Sequence, residues 1–246
     1  MATRPATSPT ETKGTGQSRV SSLYLKQMLL GPMANYVYLI GDSQTREAVV
    51  VDPAWDIPAI FDQLEEDGMT LVGALVTHYH PDHIGGDMMG QSIPGVPQLL
   101  ARQGVKVYIH KEEEPYVRAT IGLQASDTVA VDGETTMKVG KLPIRFIHTP
   151  GHTPGSQCFL VGDSLVSGDT LFIGSCGRVD LPGSNPSDLY YSLTTKLKKL
   201  PDHTVLLPGH AYSDAPTSTI GQEKQSNAFM RFERLEDFLS VMGFAG

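Results

Sequence analysis

Apolar and polar positions alternate in short blocks from Leu23 onward, and glycine, proline or aspartate ends most of the blocks. The runs NYVYLIGD and EAVVVDP are rich in β-branched and aromatic residues, and together with the mostly apolar run SLYLKQML they predict three strands. The next run, LVGALVTH, is apolar almost throughout, which is typical of a strand buried on both faces. Between these blocks, DIPAIFDQLEEDG predicts a helix with Asp56 as its N-cap and Gly68 at its end.

The second half of the chain continues this mixture of strands and helices. The runs VKVYIH, TMKVGKLPIRFIHTPG, SQCFLVGDSLVSGDTLF and HTVLLPGH predict further strands. KEEEPYVRATIG predicts a helix, and NPSDLYYSLTTKLKKLPD predicts another with Ser187 as its cap and leucines along one face. The apolar spacing of NAFMRFERLEDFLSVMGF predicts a final helix packed on the core. Strands flanked by helices indicate a layered α/β domain, which we expect to span residues 21–246.

Composition narrows the possible partners and the compartment. The 246 residues are 40% hydrophobic and carry a net charge of −8, which argues against broad binding to a nucleic-acid backbone. The 2 cysteines cannot form a disulfide framework, and no apolar run is long enough to cross a bilayer. We therefore expect a cytoplasmic protein without a membrane or nucleic-acid partner. Residues 1–20 are rich in Thr, Ser, Pro and Gly and predict a disordered tail, with an organelle targeting segment as the weaker alternative.

Three histidines crowd the stretch THYHPDHIGG. They would repel one another if protonated, but neutral imidazoles are common metal ligands. Three later apolar runs also lead into His or Asp beside glycine, so four predicted strand tips carry the same kind of side chain. The candidate ligands are His78, His80, Asp82, His83, His152, Asp169 and His210. This set exceeds the roughly four donors of one tetrahedral zinc, and it predicts two cations about 3.5–4 Å apart that share a carboxylate.

The motif THYHPDH, followed in order by His152, Asp169 and His210, resembles that of the metallo-β-lactamase superfamily. The resemblance implies an α/β fold of the αββα type, with two packed mixed sheets flanked by helices and a site at one sheet edge. It implies one metal held by His78, His80 and His152, a second held by Asp82, His83 and His210, and Asp169 between them. We expect two divalent ions, zinc first with iron or manganese as alternatives, because the ligands include no thiolate. Asp82 is also expected to orient the attacking water.

Within that superfamily, SGDTLFIGSCGR is similar to a segment of the glyoxalase II-like thioesterases, which hydrolyse S-acylglutathione. This similarity implies that Arg178 contacts the substrate, with a salt bridge to Asp180 as an alternative of equal weight. GHAY places Tyr212 as in that group, although a packed aromatic is the alternative. The segment PTSTIGQEKQSNAFMRF offers Lys224 and Arg231 as further cationic contacts for a carboxylate. We therefore expect a dinuclear thioesterase whose small-molecule substrate is a glutathione-type S-acyl conjugate or the conjugate of a related thiol, with the oligomeric state left open.

Two other activities stay open at this point. The stretch CGRVD and the C-terminal end resemble persulfide dioxygenases as closely, which implies a single iron at the positions of His78, His152 and Asp169. The chain after His210 is also shorter than in typical glyoxalase II enzymes. A lactone or β-lactam hydrolase of the same fold is a third reading, because the motif alone does not separate these chemistries.

The remaining histidines and both cysteines are predicted to lie outside the chemistry. We expect His110 and His203 to be solvated and His148 to be packed at a strand end. Cys158 is expected to be a small buried residue and Cys176 to pack in a loop.

Overall fold

Two six-stranded sheets form the frame of the computed structural model, which describes residues 22–244. The predicted disordered tail, residues 1–20, lies outside the described residues. In chain order the strands are β1 (Leu23–Leu30), β2 (Asn35–Asp42), β3 (Glu47–Val51), β4 (Thr70–Leu75), β5 (Gly86–Met88), β6 (Gln91–Ile93), β7 (Lys106–His110), β8 (Thr128–Val131), β9 (Thr136–Val139), β10 (Leu142–His148), β11 (Gln157–Val161), β12 (Ser164–Gly168), β13 (Leu171–Phe172), β14 (Ser175–Cys176), β15 (Val205–Pro208) and β16 (Ser218–Thr219).

Short helices connect and cover these strands. They are α1 (Ile57–Glu66), α2 (Pro81–Ile84), α3 (Val96–Arg102), α4 (Glu114–Ile121), α5 (Pro186–Tyr191), α6 (Ile220–Ser226), α7 (Ala228–Arg231) and α8 (Leu235–Val241). Within the described residues, no helix is both long and apolar enough to cross a membrane.

The pairing of the strands brings several carboxyl ends to one edge. The first sheet has the order β1-β2-β3-β4-β7-β8 and the second has the order β16-β15-β12-β11-β10-β9. In the first sheet β3, β4, β7 and β8 run parallel, and in the second β12 runs parallel to β15. Strands β10 and β12 are both antiparallel to β11, so β10, β12 and β15 point the same way.

Strand β2 shows how the layers form, because its side chains alternate between the two faces of the first sheet. Tyr38 and Ile40 join Phe146 and Phe159 in a core between the two sheets. Leu39 lies on the opposite face, in a cluster that includes residues of α1, α3 and α4. A third apolar cluster joins the second sheet to α5, α6, α7 and α8. This arrangement confirms the αββα sandwich implied by the sequence.

Local capping explains where two helices begin. Asp56 caps α1 as predicted, since its carboxylate accepts the N–H of Ala59 at 3.0 Å. The cap of α5 is Asn185 and not Ser187, because the Asn185 side-chain oxygen accepts the N–H groups of Ser187 and Asp188. The helix predicted for this segment is regular only in α5. It continues as a π-helical turn, Ser192–Lys196, and a 3₁₀ turn, Leu197–Lys199. Two threonine hydroxyls there bond to carbonyls four residues earlier and compete with the helical pattern.

Candidate metal centre

All seven predicted ligands lie at the shared sheet edge. His78 follows β4, and Pro81 starts the short helix α2, which carries Asp82 and His83 into the same region. His152 lies on the loop after β10, Asp169 follows β12, and His210 follows β15. The parallel ends of β10, β12 and β15 therefore bring three distant chain segments to the histidine-rich segment after β4.

The donor atoms lie at the spacing expected around small cations. Within each of the triads His78–His80–His152 and Asp82–His83–His210, the potential ligand atoms are within 4.8 Å of one another. His80 Nδ1 is 3.0 Å from His152 Nε2, and His83 Nε2 is 3.2 Å from His210 Nε2. Donors bound at about 2.0–2.1 Å to one tetrahedral ion lie roughly 3.3 Å apart. The two triads therefore have the dimensions of two metal positions.

Asp169 lies between the two triads. Its Oδ1 is 3.4 Å from His83 Nε2, and its Oδ2 is 3.4 Å from His210 Nε2 and 3.6 Å from His152 Nε2. One carboxylate thus reaches donors of both triads, which is the position required of a bridging ligand. The close approach needs Gly209, since a Cβ there would lie 2.3 Å from Asp169 Oδ1.

Hydrogen bonds to backbone carbonyls fix which nitrogen of two imidazoles faces the centre. His152 Nδ1 donates to the carbonyl of Arg178 at 2.8 Å, and His210 Nδ1 donates to the carbonyl of Met33 at 2.9 Å. A nitrogen that donates to a carbonyl carries the proton, so the Nε2 lone pair of each ring is free for a cation.

A buried network from Asp52 orients two further rings. Asp52 Oδ2 accepts the Thr77 hydroxyl at 2.6 Å, which leaves the Thr77 oxygen to accept from His78 Nδ1 at 2.9 Å. The same carboxylate oxygen lies 2.9 Å from His83 Nδ1. Both rings therefore keep a proton on Nδ1 and present Nε2 to the centre.

Two buried polar atoms at the centre have no hydrogen-bond partner among the described residues. They are His78 Nε2 and Asp169 Oδ1. Leaving such atoms unsatisfied costs about 1–3 kcal/mol each, and more for a charged group. A cation between the imidazoles and the carboxylates satisfies both atoms, so the residues present fit a divalent metal.

Protonation in this cluster is set by burial and by crowding. Burial and the neighbouring imidazoles lower the pKa of His78, and they lower the pKa of His80 to about 4. These two rings are therefore neutral at neutral pH, as a ligand must be. Burial also acts to lower the pKa of His83, but the carboxylates of Asp82 and Asp169 raise it well above its usual value. A divalent cation neutralises the same carboxylates and replaces that proton.

Asn35 holds the carboxylate of Asp82. Its Nδ2 donates to Asp82 Oδ2 at 3.0 Å and to the Asp82 carbonyl at 3.1 Å. Trp55 Nε1 donates to Asn35 Oδ1 at 3.0 Å, so the amide orientation is consistent with both contacts. Burial acts to raise the pKa of Asp82, but the neighbouring His83 and the Asn35 hydrogen bond lower it, so Asp82 is ionised at neutral pH.

A cavity of about 540 Å³ opens above the ligands. Arg178 and Tyr212, two of the predicted substrate contacts, line it. The Tyr212 ring stacks on the His210 ring with centroids 4.6 Å apart and planes 8° apart. Arg178 Nε and Nη2 donate to the two carboxylate oxygens of Asp180 at 2.8 Å each. Arg178 therefore both lines the cavity and forms the salt bridge considered as its alternative role.

The structure does not bring the other two predicted cations to the cavity. Lys224 Nζ donates to the Leu200 carbonyl at 2.9 Å and to Asp202 Oδ1 at 2.6 Å. Arg231 is exposed at the end of α7, and neither residue lines the cavity. Lys224 is held at the 3₁₀ turn because an unsatisfied helix-end carbonyl and a carboxylate meet there.

His110 is buried, contrary to the prediction that it is solvated. Its ring stacks on that of His148, with centroids 3.8 Å apart and planes 18° apart. Burial lowers the pKa of His110 to about 4 and also lowers that of His148, so neither ring carries a charge that would oppose stacking. His148 Nε2 donates to the carbonyl of Pro154, in the loop that carries His152. His203 is exposed, as predicted, and both cysteines are buried.

Sequence reasoning missed the residues that orient the ligands. Asp52 follows the run EAVVV, but it stands alone and lacks the clustering that marked the ligands. Glu113 is a second supporting residue without a sequence signal. Its carboxylate accepts the N–H of Gly155 at 2.8 Å and the hydroxyl of Thr153. These contacts anchor the loop that carries His152. Only the spatial meeting of separate segments reveals these roles.

Similarity to known proteins agrees with this site. The profile of the metallo-beta-lactamase superfamily matches residues 30–210. The probable polyketide biosynthesis zinc-dependent hydrolase BaeB of Bacillus velezensis is 30% identical over 84% of this chain and 86% of its own length. The mitochondrial persulfide dioxygenase ETHE1 of Homo sapiens is 30% identical over 90% of this chain and 81% of its own length.

A solved structure shows the same architecture. The crystal structure of ETHE1 from Myxococcus xanthus superimposes with a TM-score of 0.76 at 31% identity, covering 89% of this chain and 90% of that one. The profile match spans more than half of the chain and contains every candidate ligand. The chain belongs to the metallo-β-lactamase superfamily.

Proposed function

We propose that this protein is a metal-dependent hydrolase that cleaves thioesters at a centre of two divalent cations, zinc being the first candidate. The observation that carries the proposal is the pair of ligand triads with Asp169 between them. Two divalent cations at such a centre supply a water that is nucleophilic at neutral pH and polarise the carbonyl that it attacks. The chain then needs no serine or cysteine nucleophile.

The residues around the centre hold groups in place. Asn35 fixes the carboxylate of Asp82 through two hydrogen bonds, and that carboxylate is ionised. Asp82 can therefore serve as a ligand and orient a water by accepting its proton in a hydrogen bond. The carbonyls of Arg178 and Met33 keep His152 and His210 in the tautomer that points Nε2 at the centre.

The choice of a thioester rests on the leaving group. Apart from the candidate ligands, the described residues that line the cavity include no carboxylic acid, imidazole or thiol. Burial raises the pKa of Tyr79, and it raises that of Tyr212 to about 12, so both are poor proton donors at neutral pH. A thiolate, with a pKa of about 8.5, leaves without prior protonation, whereas an amine or an alkoxide needs a proton. This difference favours a thioester over a β-lactam or a lactone.

A mononuclear iron persulfide dioxygenase is the second candidate. It is favoured by the similarity to the human and Myxococcus xanthus proteins named ETHE1. His78, His152 and Asp169 lie at the same centre in either case. The two candidates differ in the number of metals needed and in the use of oxygen.

A substrate panel tests the proposal. Purified protein is loaded with zinc or with iron and given acyl thioesters, a lactone, a β-lactam and glutathione persulfide, with thiol release and oxygen uptake recorded. We expect thiol release from a thioester, its loss in Asp169→Asn, and its retention in the control Asp163→Asn, which changes an exposed aspartate in the turn between β11 and β12. Oxygen uptake with the persulfide and no thioester turnover would establish the dioxygenase instead.

A further inference from the structure

Exposed apolar side chains concentrate around the opening of the cavity. The exposed fraction is 103% for Met89, 56% for Tyr116 and 62% for Tyr212, and all three line the cavity together with the partly exposed Met33. They come from the β5–β6 hairpin, helix α4, the segment after β15 and the β1–β2 turn. Soluble proteins rarely gather exposed apolar groups from separate elements without a ligand to cover them.

Met89 has an unusual backbone conformation for a methionine. It lies at the tip of the β5–β6 hairpin with a φ of 53°, a conformation that disfavours residues other than glycine, asparagine and aspartate. An exposed methionine gains nothing for stability at such a turn. A flexible thioether at the rim is instead suited to contact with an apolar ligand of variable shape.

The wall below the rim is also apolar. The ring of Tyr79 packs edge-on against that of Tyr116, with centroids 5.0 Å apart. Its hydroxyl donates to the carbonyl of Pro182 at 2.8 Å, so the ring is the part of Tyr79 left to contact a ligand. Phe172, Leu181 and Pro182 complete this wall.

The charges of the cavity do not match an anionic thiol. Among the described residues that line it, Arg178 is the only lysine or arginine, and both carboxylate oxygens of Asp180 already engage its guanidinium. Glutathione carries two carboxylates. Lys224 and Arg231, the other cations considered for them, do not line the cavity.

We infer that the cavity selects substrates by an uncharged apolar or aromatic group, so that the preferred class is a medium-chain or aromatic acyl thioester of an uncharged thiol and not a glutathione conjugate. This inference rests on the proposed thioester hydrolysis for its reactive group. The apolar group packs among Met89, Tyr116, Tyr79 and Tyr212, while the thioester carbonyl lies over the metal ligands.

Binding of unreactive thioethers tests the inference independently of turnover. The probes are S-octyl-N-acetylcysteamine and S-methylglutathione, titrated by calorimetry into the full chain loaded with zinc. We expect the octyl probe to bind more than about tenfold tighter, since each buried methylene contributes up to roughly fourfold. Equal or tighter binding of S-methylglutathione, or no binding of the octyl probe, overturns the inference.

Matched variants locate the binding surface. Met89→Asn with Tyr116→Gln removes two apolar rim groups, and asparagine tolerates the backbone at position 89. Tyr191→Gln is the control, because Tyr191 is also an exposed tyrosine that packs edge-on against another tyrosine ring, Tyr190, but does not line the cavity. We expect the double variant to weaken octyl binding at least fivefold and the control to change it less than twofold. Equal binding by both overturns the inference.

Turnover measurements separate thioester hydrolysis from the apolar selectivity of the cavity. If octanoyl-N-acetylcysteamine releases no thiol while the octyl thioether binds at the rim, thioester hydrolysis is refuted and the apolar selectivity stands. If S-acylglutathione is hydrolysed efficiently and binding ignores the rim variants, hydrolysis stands and the selectivity is refuted.

Discussion

Asp52 Oδ2 lies 2.9 Å from His83 Nδ1, with both side chains buried. The pair fixes the ring of a candidate ligand from behind, while Asp52 Oδ1 accepts the backbone N–H of Thr77 at 2.7 Å, next to the candidate ligand His78. One carboxylate thus links the backbone before the first candidate ligand to the ring of a candidate ligand on α2. Such partners set the tautomer and basicity of metal-bound imidazoles.

Asp52→Asn should weaken metal binding by about 10- to 100-fold, because the amide cannot accept from His83 Nδ1 and the Thr77 groups as the carboxylate does. Competition with a chromophoric chelator measures the affinity for zinc. Asp56→Asn is the control, since Asp56 caps α1 and asparagine caps equally well. An unchanged zinc affinity in Asp52→Asn would show that the contact does not support the site.

Glu113, which anchors the loop of His152, should make the stability of the protein depend on pH. Burial raises the pKa of its carboxyl to about 7, so the folded protein holds a proton that the unfolded chain releases near pH 4.5. The stability that this proton provides is present below pH 4.5 and is lost as the pH rises through 7. Glutamine has no proton to lose. The free energy of unfolding of Glu113→Gln relative to that of the parent should therefore rise by on the order of 2 kcal/mol from pH 5 to pH 8.

Urea unfolding at the two pH values measures this difference. Glu112→Gln is the control, because Glu112 is the adjacent glutamate and is exposed. A difference between Glu113→Gln and the parent that does not grow with pH would contradict the raised pKa. Glu113→Ala should destabilise the protein at both pH values, because it leaves the N–H of Gly155 without its acceptor.

His110 should make the protein sensitive to mild acid. Burial lowers its pKa to about 4, below the value of about 6.5 in the unfolded chain, so the unfolded state binds the extra proton first. The contribution of neutral His110 to the free energy of unfolding is fully present above pH 6.5, and it is lost as the pH drops toward 4. His110→Phe keeps an aromatic ring against His148 and should flatten the fall in melting temperature between pH 7 and pH 5. His203→Phe, at an exposed histidine, should leave the fall unchanged, and equal slopes in all three proteins would refute the assignment.

The salt bridge between Arg178 and Asp180 should limit the use of anionic substrates. Both side chains are largely exposed, so solvent screens the pair and it holds the guanidinium only weakly. Asp180→Asn frees the guanidinium and should lower KM for a glutathione thioester about two- to fivefold, with no change for a neutral thioester. Arg178→Ala should raise KM for the glutathione thioester alone. A KM that neither variant alters would exclude Arg178 from substrate binding.

The fold and the candidate ligands could be predicted from the sequence because both have local signatures. Strands such as LVGALVTH show buried apolar runs, and the ligands follow strand tips in clusters of His, Asp and Gly. The prediction of Ser187 as the cap of α5 is wrong although the sequence holds a signal for Asn185, because proline is common at the first helical position and Pro186 directly follows Asn185.

The parts that sequence reasoning missed depend on distant contacts. Lys224 was predicted to contact a substrate carboxylate, but the fold brings the carboxylate of Asp202 within 2.6 Å of its amine. His110 looked solvated at a strand end, but the ring of His148 covers it. Asp52 and Glu113 carry no motif, and their roles exist only because separate segments meet. Tertiary contacts decide these cases.

Thioester hydrolysis measured against the number of bound metals shows whether two cations carry out the proposed reaction. Metal-free protein is titrated with zinc, the bound zinc is counted by mass spectrometry, and thiol release from octanoyl-N-acetylcysteamine is measured at each point. We expect turnover to reach its plateau at about two zinc ions per chain, one for each ligand triad. A plateau at one ion, or zinc uptake to two ions without thiol release, would contradict the proposal.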